Sequence, residues 1–162
     1  MSFFRKYFVL MLGFCILSVA SAQGGGGDIT LAPLFSPDPQ ELEYIAGGTV
    51  SASETYGADS SGETCAGFIA SEPDHVLTLE AGSSGMDSFG YLRMYVTSDA
   101  DTTLVIVRTT NDDFLCNDDS NGVNPQIEVD DWPFGTYNIY VGTFAEDTLT
   151  NYTISFTELP AE

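Results

Sequence analysis

The sequence predicts an all-β fold, namely a jelly-roll-like antiparallel β-sandwich of eight or nine strands. Short segments alternate apolar and polar residues, and clusters of Gly, Pro, Asn, Asp and Ser separate them. No long segment has the 3.6-residue apolar period of an amphipathic helix. The cleanest alternation ends the chain, where Tyr152, Ile154 and Phe156 are predicted to face the core.

The pattern divides into nine candidate strands. We place them at residues 29–35, 41–46, 66–70, 75–80, 91–96, 103–107, 126–129, 136–141 and 150–156. Within residues 103–107, the four positions after Thr103 are all apolar, which is typical of a strand buried on both faces. We therefore expect this segment to be a central strand.

The amino terminus has the features of a secretory signal peptide over residues 1–22. Arg5 and Lys6 precede an apolar stretch, and Ala20-Ser21-Ala22 supplies small residues for cleavage. The apolar stretch is shorter than the roughly 20 residues that span a bilayer. The sequence thus predicts a chain that is secreted to the exterior or cell surface, without membrane insertion after cleavage. Residues 23–27 are predicted to be a flexible glycine-rich leader, and residues 28–162 a single domain.

The charge is strongly one-sided. The sequence has 24 acidic residues and 4 basic ones, for a formal net charge of −20. Without residues 1–22 only Arg93 and Arg108 remain as cations, so 2 minus 24 gives −22. The sequence predicts no nucleic-acid partner, because nucleic-acid binding needs clustered Lys and Arg.

The two cysteines beyond the signal peptide, Cys65 and Cys116, are predicted to form a disulfide in an oxidising compartment. The bond would close a loop of about 50 residues and stabilise the fold by roughly 4 kcal/mol. Free thiols are the alternative.

An acidic turn over residues 117–128 has the spacing of a calcium loop. Alternating oxygen ligands, a glycine and a late carboxylate suit a hard cation. The candidate Ca²⁺ ligands are Asn117, Asp118, Asp119, Asn121 and Glu128. The alternative is a polar turn between strands, which produces similar strings of residues.

No catalytic residue stands out. His75 is the single histidine and begins an apolar strand, which favours a packed side chain over a catalytic one. Paired carboxylates of a hydrolase remain a less favoured alternative, since nothing singles out two of the acids. Tyr91, Tyr95 and Tyr140 alternate with core positions, so they either line a groove for a polysaccharide or peptide or pack against another layer.

Three segments resemble the bacterial pre-peptidase C-terminal domain. They are residues 98–105, Cys116-Asn117-Asp118-Asp119 with Asn124-Pro125, and residues 135–143, and the resemblance covers about residues 66–158. It implies a jelly-roll-like sandwich of secreted proteins, often beside a protease, with calcium stabilisation in some members. No peptidase accompanies the domain here, so the resemblance implies no activity.

The sequence therefore favours a non-catalytic extracellular structural module that assembles with itself at a surface or in a fibre. A possible donor strand follows the leader, with its apolar residues at Ile29, Leu31, Leu34 and Phe35. In the alternative, this strand pairs within its own sheet. The main functional alternative is a module that binds an extracellular polymer, either polysaccharide or peptide.

Overall fold

The structure is a computed structural model that describes residues 26–161. The predicted signal peptide and residues 23–25 of the leader lie outside the described residues. The described part contains eleven strands and one short helix, in the order β1 (Ile29–Leu31), β2 (Gln40–Ala46), β3 (Val50–Ser51), α1 (Ala52–Thr55), β4 (Phe68–Ile69), β5 (His75–Leu79), β6 (Ser88–Ser98), β7 (Thr102–Arg108), β8 (Phe114–Asn117), β9 (Gln126–Pro133), β10 (Gly135–Thr143) and β11 (Thr150–Thr157).

The strands form two sheets, which confirms the predicted all-β sandwich. Sheet A has seven strands around β10, which pairs with β5 and β4 along one edge and with β7 along the other. Sheet A is completed by β1 outside β5, β3 outside β4 and β8 outside β7. Sheet B has four strands in the order β2-β11-β6-β9. All pairs are antiparallel except β1 with β5, which are parallel.

The main core lies between the sheets. The alternation predicted for the last strand is confirmed, because Tyr152, Ile154 and Phe156 are all buried. The central position predicted for residues 103–107 is also confirmed, since β7 pairs on both sides and six of its seven residues are buried.

A covering segment, residues 50–69, begins and ends in sheet A with β3 and β4, and the chain between these strands packs on the sheet's outer face. It contains β3, α1 and β4, and Ser51 caps the helix by accepting a hydrogen bond from the Glu54 N–H at 3.3 Å. A second apolar cluster lies beneath this segment, formed by Ala52, Cys65, Ile69, Val105, Val107 and Cys116. The predicted Cys65–Cys116 disulfide is present and ties the segment to β8. The covering segment therefore lies over β7, β8 and β10 of sheet A, whereas no segment within residues 26–161 covers the outer face of sheet B.

The structure differs from the sequence prediction in its smallest elements. The first strand ends at Leu31 rather than at residue 35, because the chain turns at Leu34, whose φ is +67°. Three short elements, β3, α1 and β8, were not predicted. The strand β8 lies among Asp and Asn residues and has only four residues, too few to show a period of two.

Candidate functional site

The outer face of sheet B presents a row of large side chains on one strand. Tyr91, Arg93 and Tyr95 alternate with buried Leu92 and Met94 on β6, so all three point away from the core. Because β6 pairs with β11 on one side and β9 on the other, the row lies in the interior of the sheet. We call this uncovered surface the tyrosine face.

Hydrogen bonds and ring contacts hold the row in place. The Tyr91 hydroxyl donates to Glu128 Oε2 at 2.7 Å, and burial together with this bond raises the pKa of Tyr91 to about 12. The Arg93 Cζ atom lies 4.9 Å from the centroid of the Tyr95 ring, which is a cation–π arrangement. Arg93 Nε is buried without a hydrogen-bond partner. The face therefore carries aromatic rings held in position by a hydrogen bond and by the guanidinium of Arg93.

A shallow groove of about 520 Å³ continues the tyrosine face towards the carboxyl end of β6. Its outward residues are Glu43, Ile45, Thr97, Asp99, Asn151 and Thr153. Thr153 lies between Glu43 and Thr97 in the register of the sheet. The groove thus combines short hydroxyl and amide side chains with carboxylates, all of which bond to hydroxyl or amide groups.

The sequence grouped three tyrosines, but the structure separates them. Tyr91 and Tyr95 are half-buried on the tyrosine face. Tyr140 faces the opposite way, towards the covering segment, with its ring centroid 6.5 Å from that of Tyr56. Burial raises the pKa of Tyr140 to about 12, as expected for a packed phenol. Tyr140 therefore belongs to the packing alternative and not to a ligand surface.

The acidic turn joins β8 of sheet A to β9 of sheet B, and hydrogen bonds within the protein occupy two of its candidate ligands. Asn117 Oδ1 accepts from the Ser120 hydroxyl at 2.7 Å and from the Gln126 N–H at 2.9 Å. Glu128 lies on β9 and accepts from Tyr91, so its carboxylate belongs to the tyrosine face. The late carboxylate of the calcium pattern is thus directed away from Asn117.

A different set of carboxylates approaches the turn. Burial, and then the charge of Asp119, raises the pKa of both Asp118 and Asp101; Glu63 adds to the effect on Asp118. Asp101 Oδ1 is buried without a hydrogen-bond partner. Oxygen donors of this kind suit Ca²⁺ chemically. In residues 26–161, however, no three Asp, Glu, His or Cys side chains are arranged to hold a metal ion.

His75 anchors the end of the leader, a role that the sequence did not reveal. Its ring is 1% exposed, with Nδ1 2.9 Å from the Gly27 carbonyl oxygen and Nε2 2.6 Å from the Tyr152 hydroxyl. A carbonyl oxygen only accepts, so Nδ1 donates to it and Nε2 accepts from Tyr152. Burial lowers the pKa of His75, which favours this neutral form. The packing interpretation of His75 agrees with these contacts.

Gly26 fills a slot beside this histidine. Its N–H donates to the Asp74 carbonyl oxygen at 2.6 Å. A Cβ on Gly26 would overlap the rings of His75 and Tyr44, so the slot accepts only glycine. The end of the predicted flexible leader, at Gly26 and Gly27, is therefore seated against β5.

The candidate donor strand pairs with its own chain in this structure. Ile29 and Leu31 lie in β1, opposite Leu77 and Leu79 of β5, and Leu31 is buried. Phe35 packs near Phe89, with ring centroids 6.2 Å apart. Leu34 is 84% exposed. The four residues thus divide into three that contact the core and one that contacts solvent.

Asp74 gives a test of the buried polar cluster around His75. Its Oδ2 accepts from the Val141 N–H at 2.7 Å, and burial raises its pKa from 3.8 to about 7. Between about pH 4 and 7 the folded state therefore binds a proton that the unfolded state lacks, so this group's contribution to stability falls as pH rises. Asp74→Asn removes that contribution. As the pH rises through this window, we expect the free energy of unfolding of the variant to increase relative to that of wild type. The increase is up to about 1.4 kcal/mol per pH unit.

Denaturant unfolding of both proteins at several pH values between about 4 and 8 measures this difference. His75 is present in both proteins, so its own titration cancels to first order. Parallel stability profiles for the two proteins would show that Asp74 titrates normally.

The described residues define an all-β sandwich in which the outer face of sheet B is the uncovered one. No family model matches the chain. An uncharacterised protein of Synechococcus elongatus is 37% identical over 76 residues, which are 47% of this chain and 53% of that relative. The match therefore spans about half the length of the relative. The resemblance to the pre-peptidase C-terminal domain stays a prediction.

One solved structure aligns along most of the chain. It is PliG of Aeromonas hydrophila, a periplasmic inhibitor of g-type lysozyme, with a TM-score of 0.43 and 11% identity, covering 81% of this chain and 96% of that one. A likeness this distant carries no functional argument. In the described part of the chain, no helix has the length and apolar character needed to cross a membrane.

Proposed function

We propose that this protein is an exported, non-catalytic module that binds an extracellular polymer on the tyrosine face. The observation that carries the proposal is the asymmetry between the two sheets. The covering segment, tied down by a disulfide, packs on the outer face of sheet A. The outer face of sheet B carries Tyr91, Arg93 and Tyr95, and no segment that the structure describes covers it. The predicted signal peptide and the disulfide support export.

The chemistry of the tyrosine face favours a neutral polysaccharide. A flat sheet suits an extended polymer, and tyrosine rings offer apolar faces on which sugar rings pack. The threonines and asparagine of the groove supply hydrogen bonds to hydroxyl groups. A polyanion is disfavoured because the formal net charge is −20 and Glu43, Glu128 and Asp130 flank the row. A peptide is the alternative ligand, and the binding screen described next includes it.

Replacing both Tyr91 and Tyr95 with serine tests the proposal. We expect the affinity for a neutral polysaccharide, found by screening soluble and insoluble polymers, to fall about 10- to 100-fold, since two aromatic contacts are lost. Phe144→Ser is the matched control, because Phe144 is an aromatic side chain, 53% exposed, on the loop after β10. Equal loss in control and test variants, or binding of no polymer or peptide by wild type, would contradict the proposal.

Self-assembly is the second candidate function. It is supported by the small size of β1, which contributes three parallel residue pairs at the edge of sheet A, and by exposed Leu34. The contacts of Gly26 and Gly27 with Asp74 and His75 weigh against exchange, because they hold the strand in its own chain. Sizing by light scattering of the protein without residues 1–22 separates the two: a stable monomer at high concentration removes assembly by strand exchange.

Calcium stabilisation of the acidic turn is also a proposal. Asp101, Asp118 and Asp119 repel one another, and a bound Ca²⁺ would relieve this repulsion. We expect millimolar Ca²⁺ to raise the melting temperature by about 2–8 °C relative to a chelator, and Asp118→Asn to remove most of that increase. Asp112→Asn, which removes one charge from another turn, is the control. An equal increase from Mg²⁺ or in Asp118→Asn would show general charge screening instead.

A further inference from the structure

A second cleft, of about 570 Å³, lies between the two sheets, at the side of the sandwich formed by β8 and β9. It separates β8, an edge strand of sheet A, from β9, an edge strand of sheet B. Its apolar wall consists of Ile106, Phe114, Leu115, Val129, Trp132 and Tyr137. Asp112 and Asp113 of the β7–β8 turn line it as well. We call this the inter-sheet cleft. It lies at one edge of β9, whereas β6, which carries the tyrosine row, pairs with the other edge.

The polar groups of the aromatic wall are bonded within the protein. The Trp132 Nε1–H donates to the Leu92 carbonyl oxygen at 3.1 Å, and the Tyr137 hydroxyl donates to the Pro133 carbonyl oxygen at 2.6 Å. Trp132 and Tyr137 are 2% and 3% exposed, so their rings form the apolar floor beneath the cleft, while the less buried Leu115 and Val129 face its opening. An apolar wall with few free polar groups is typical of ligand pockets.

One cationic side chain lines the cleft. Arg108 donates from Nη2 to the Phe134 carbonyl oxygen at 3.3 Å, and its Nε is buried. The guanidinium carries further N–H donors on its Nη atoms, and an occupant with an acceptor oxygen can bond to these. A peptide carbonyl oxygen is such an acceptor.

The two edge strands differ in their ability to accept another strand. The carboxylate of Asp59 covers β8, because its Oδ2 accepts from the Cys116 N–H at 3.2 Å on the side away from β7. Among residues 26–161, β9 pairs only with β6 and ends sheet B, so no described strand occupies its other edge. An open edge next to an apolar cleft fits strand addition, in which the backbone supplies affinity and pockets select side chains.

Charge selects the kind of peptide. Asp112 and Asp113 lie together in the cleft lining, and the chain as a whole has a formal net charge of −20. An acidic peptide would be repelled, whereas lysine or arginine residues beside the apolar side chain would be attracted.

We propose that the inter-sheet cleft binds an extended cationic peptide segment of a partner protein, which adds to the edge of β9, inserts an apolar side chain between β8 and β9, and accepts a hydrogen bond from Arg108. This site is separate from the tyrosine face and does not depend on the proposed polymer binding.

Trp132 allows a direct test because it is the single tryptophan of the sequence and lies in the cleft wall. The probe is a capped seven-residue peptide with valine, leucine and valine at its centre and two lysines at each end. Titration into the full mature protein is expected to change Trp132 emission saturably, and the anisotropy of a labelled peptide to rise in parallel. A peptide with three serines at its centre is expected to bind at least about tenfold more weakly, because it lacks the apolar contacts.

Two variants locate the binding. Arg108→Met is expected to weaken binding about fivefold by removing the hydrogen-bond donor. The double variant Asp112→Asn/Asp113→Asn is expected to weaken peptide binding by removing two negative charges from the cleft. The control is Glu146→Gln/Asp147→Asn, which removes the same charge beyond the other end of β10 and is expected to weaken binding less. Asp112 and Asp147 have nearly the same φ, +56° and +55°, so asparagine suits both positions.

Two results would overturn the proposal. One is equal weakening by the two double variants or equal binding of the serine peptide, because either would mean general attraction to an acidic protein. The other is the absence of binding by both readouts at millimolar peptide. Unfolding curves of each variant confirm that a loss of binding does not reflect a loss of fold.

Discussion

Replacing Cys65 and Cys116 together with serine should lower the free energy of unfolding by about 4 kcal/mol. The bond joins residues 51 positions apart, so its removal returns the conformational freedom of a long loop to the unfolded chain. Both cysteines are also buried in the cluster beneath the covering segment. Two serine hydroxyls there would add a cost for burying polar groups.

Chemical denaturation of wild type under oxidising and reducing conditions, beside the double variant, measures this effect. Reduced wild type is the control, because it lacks the bond but keeps the sulfur atoms. Its loss of stability separates the contribution of the crosslink from that of the buried hydroxyls. A difference below about 1 kcal/mol between oxidised and reduced wild type would show that the crosslink contributes little, against the loop-closure argument.

Gly142→Ala should be the most damaging single methyl addition in sheet A, at about 2–3 kcal/mol. A Cβ at Gly142 would overlap the carbonyl oxygen of Phe68 and lie 2.9 Å from Cγ2 of Ile69. Both neighbours belong to β4, which pairs with β10 and carries the end of the covering segment. The obstacle is backbone, so a rotamer change cannot relieve it, and β4 must move away from β10.

Gly90→Ala is the matched control for this variant. Gly90 also lies in a strand, β6, but a Cβ there meets nothing within 4 Å. We expect alanine at this position to leave stability unchanged or to raise it by about 0.5 kcal/mol, because alanine has less freedom in the unfolded chain. Equal effects of the two substitutions in thermal unfolding would contradict the close approach of β4 to β10.

The sequence predicted the parts of the fold that have a clear period. β7, β10 and β11 are long and strongly patterned, and the covalent link between Cys65 and Cys116 followed from the cysteine count and the export signal. Of the covering segment, only the strand at residues 66–70, which contains β4, was predicted; β3 and α1 were not, because they have two and four residues. Elements this short carry no period and form through contacts with sheet A.

The candidate sites show the same division. Alternation along β6 placed Tyr91 and Tyr95 on the face opposite the core, and this followed from sequence alone. Tyr140 packs beneath the covering segment, and no local sequence pattern indicated that this segment lies there. The hydrogen bond between Tyr91 and Glu128 joins residues 37 positions apart, so the calcium spacing could not show that this carboxylate has another partner.

The central claim is that a polymer binds the outer face of sheet B, and amide hydrogen exchange with and without the polymer tests it most directly. The account predicts slower exchange over β6 and β11 in the bound state, with little change in residues 50–69 of the covering segment. Protection confined to the covering segment, with none over β6 and β11, would contradict the account.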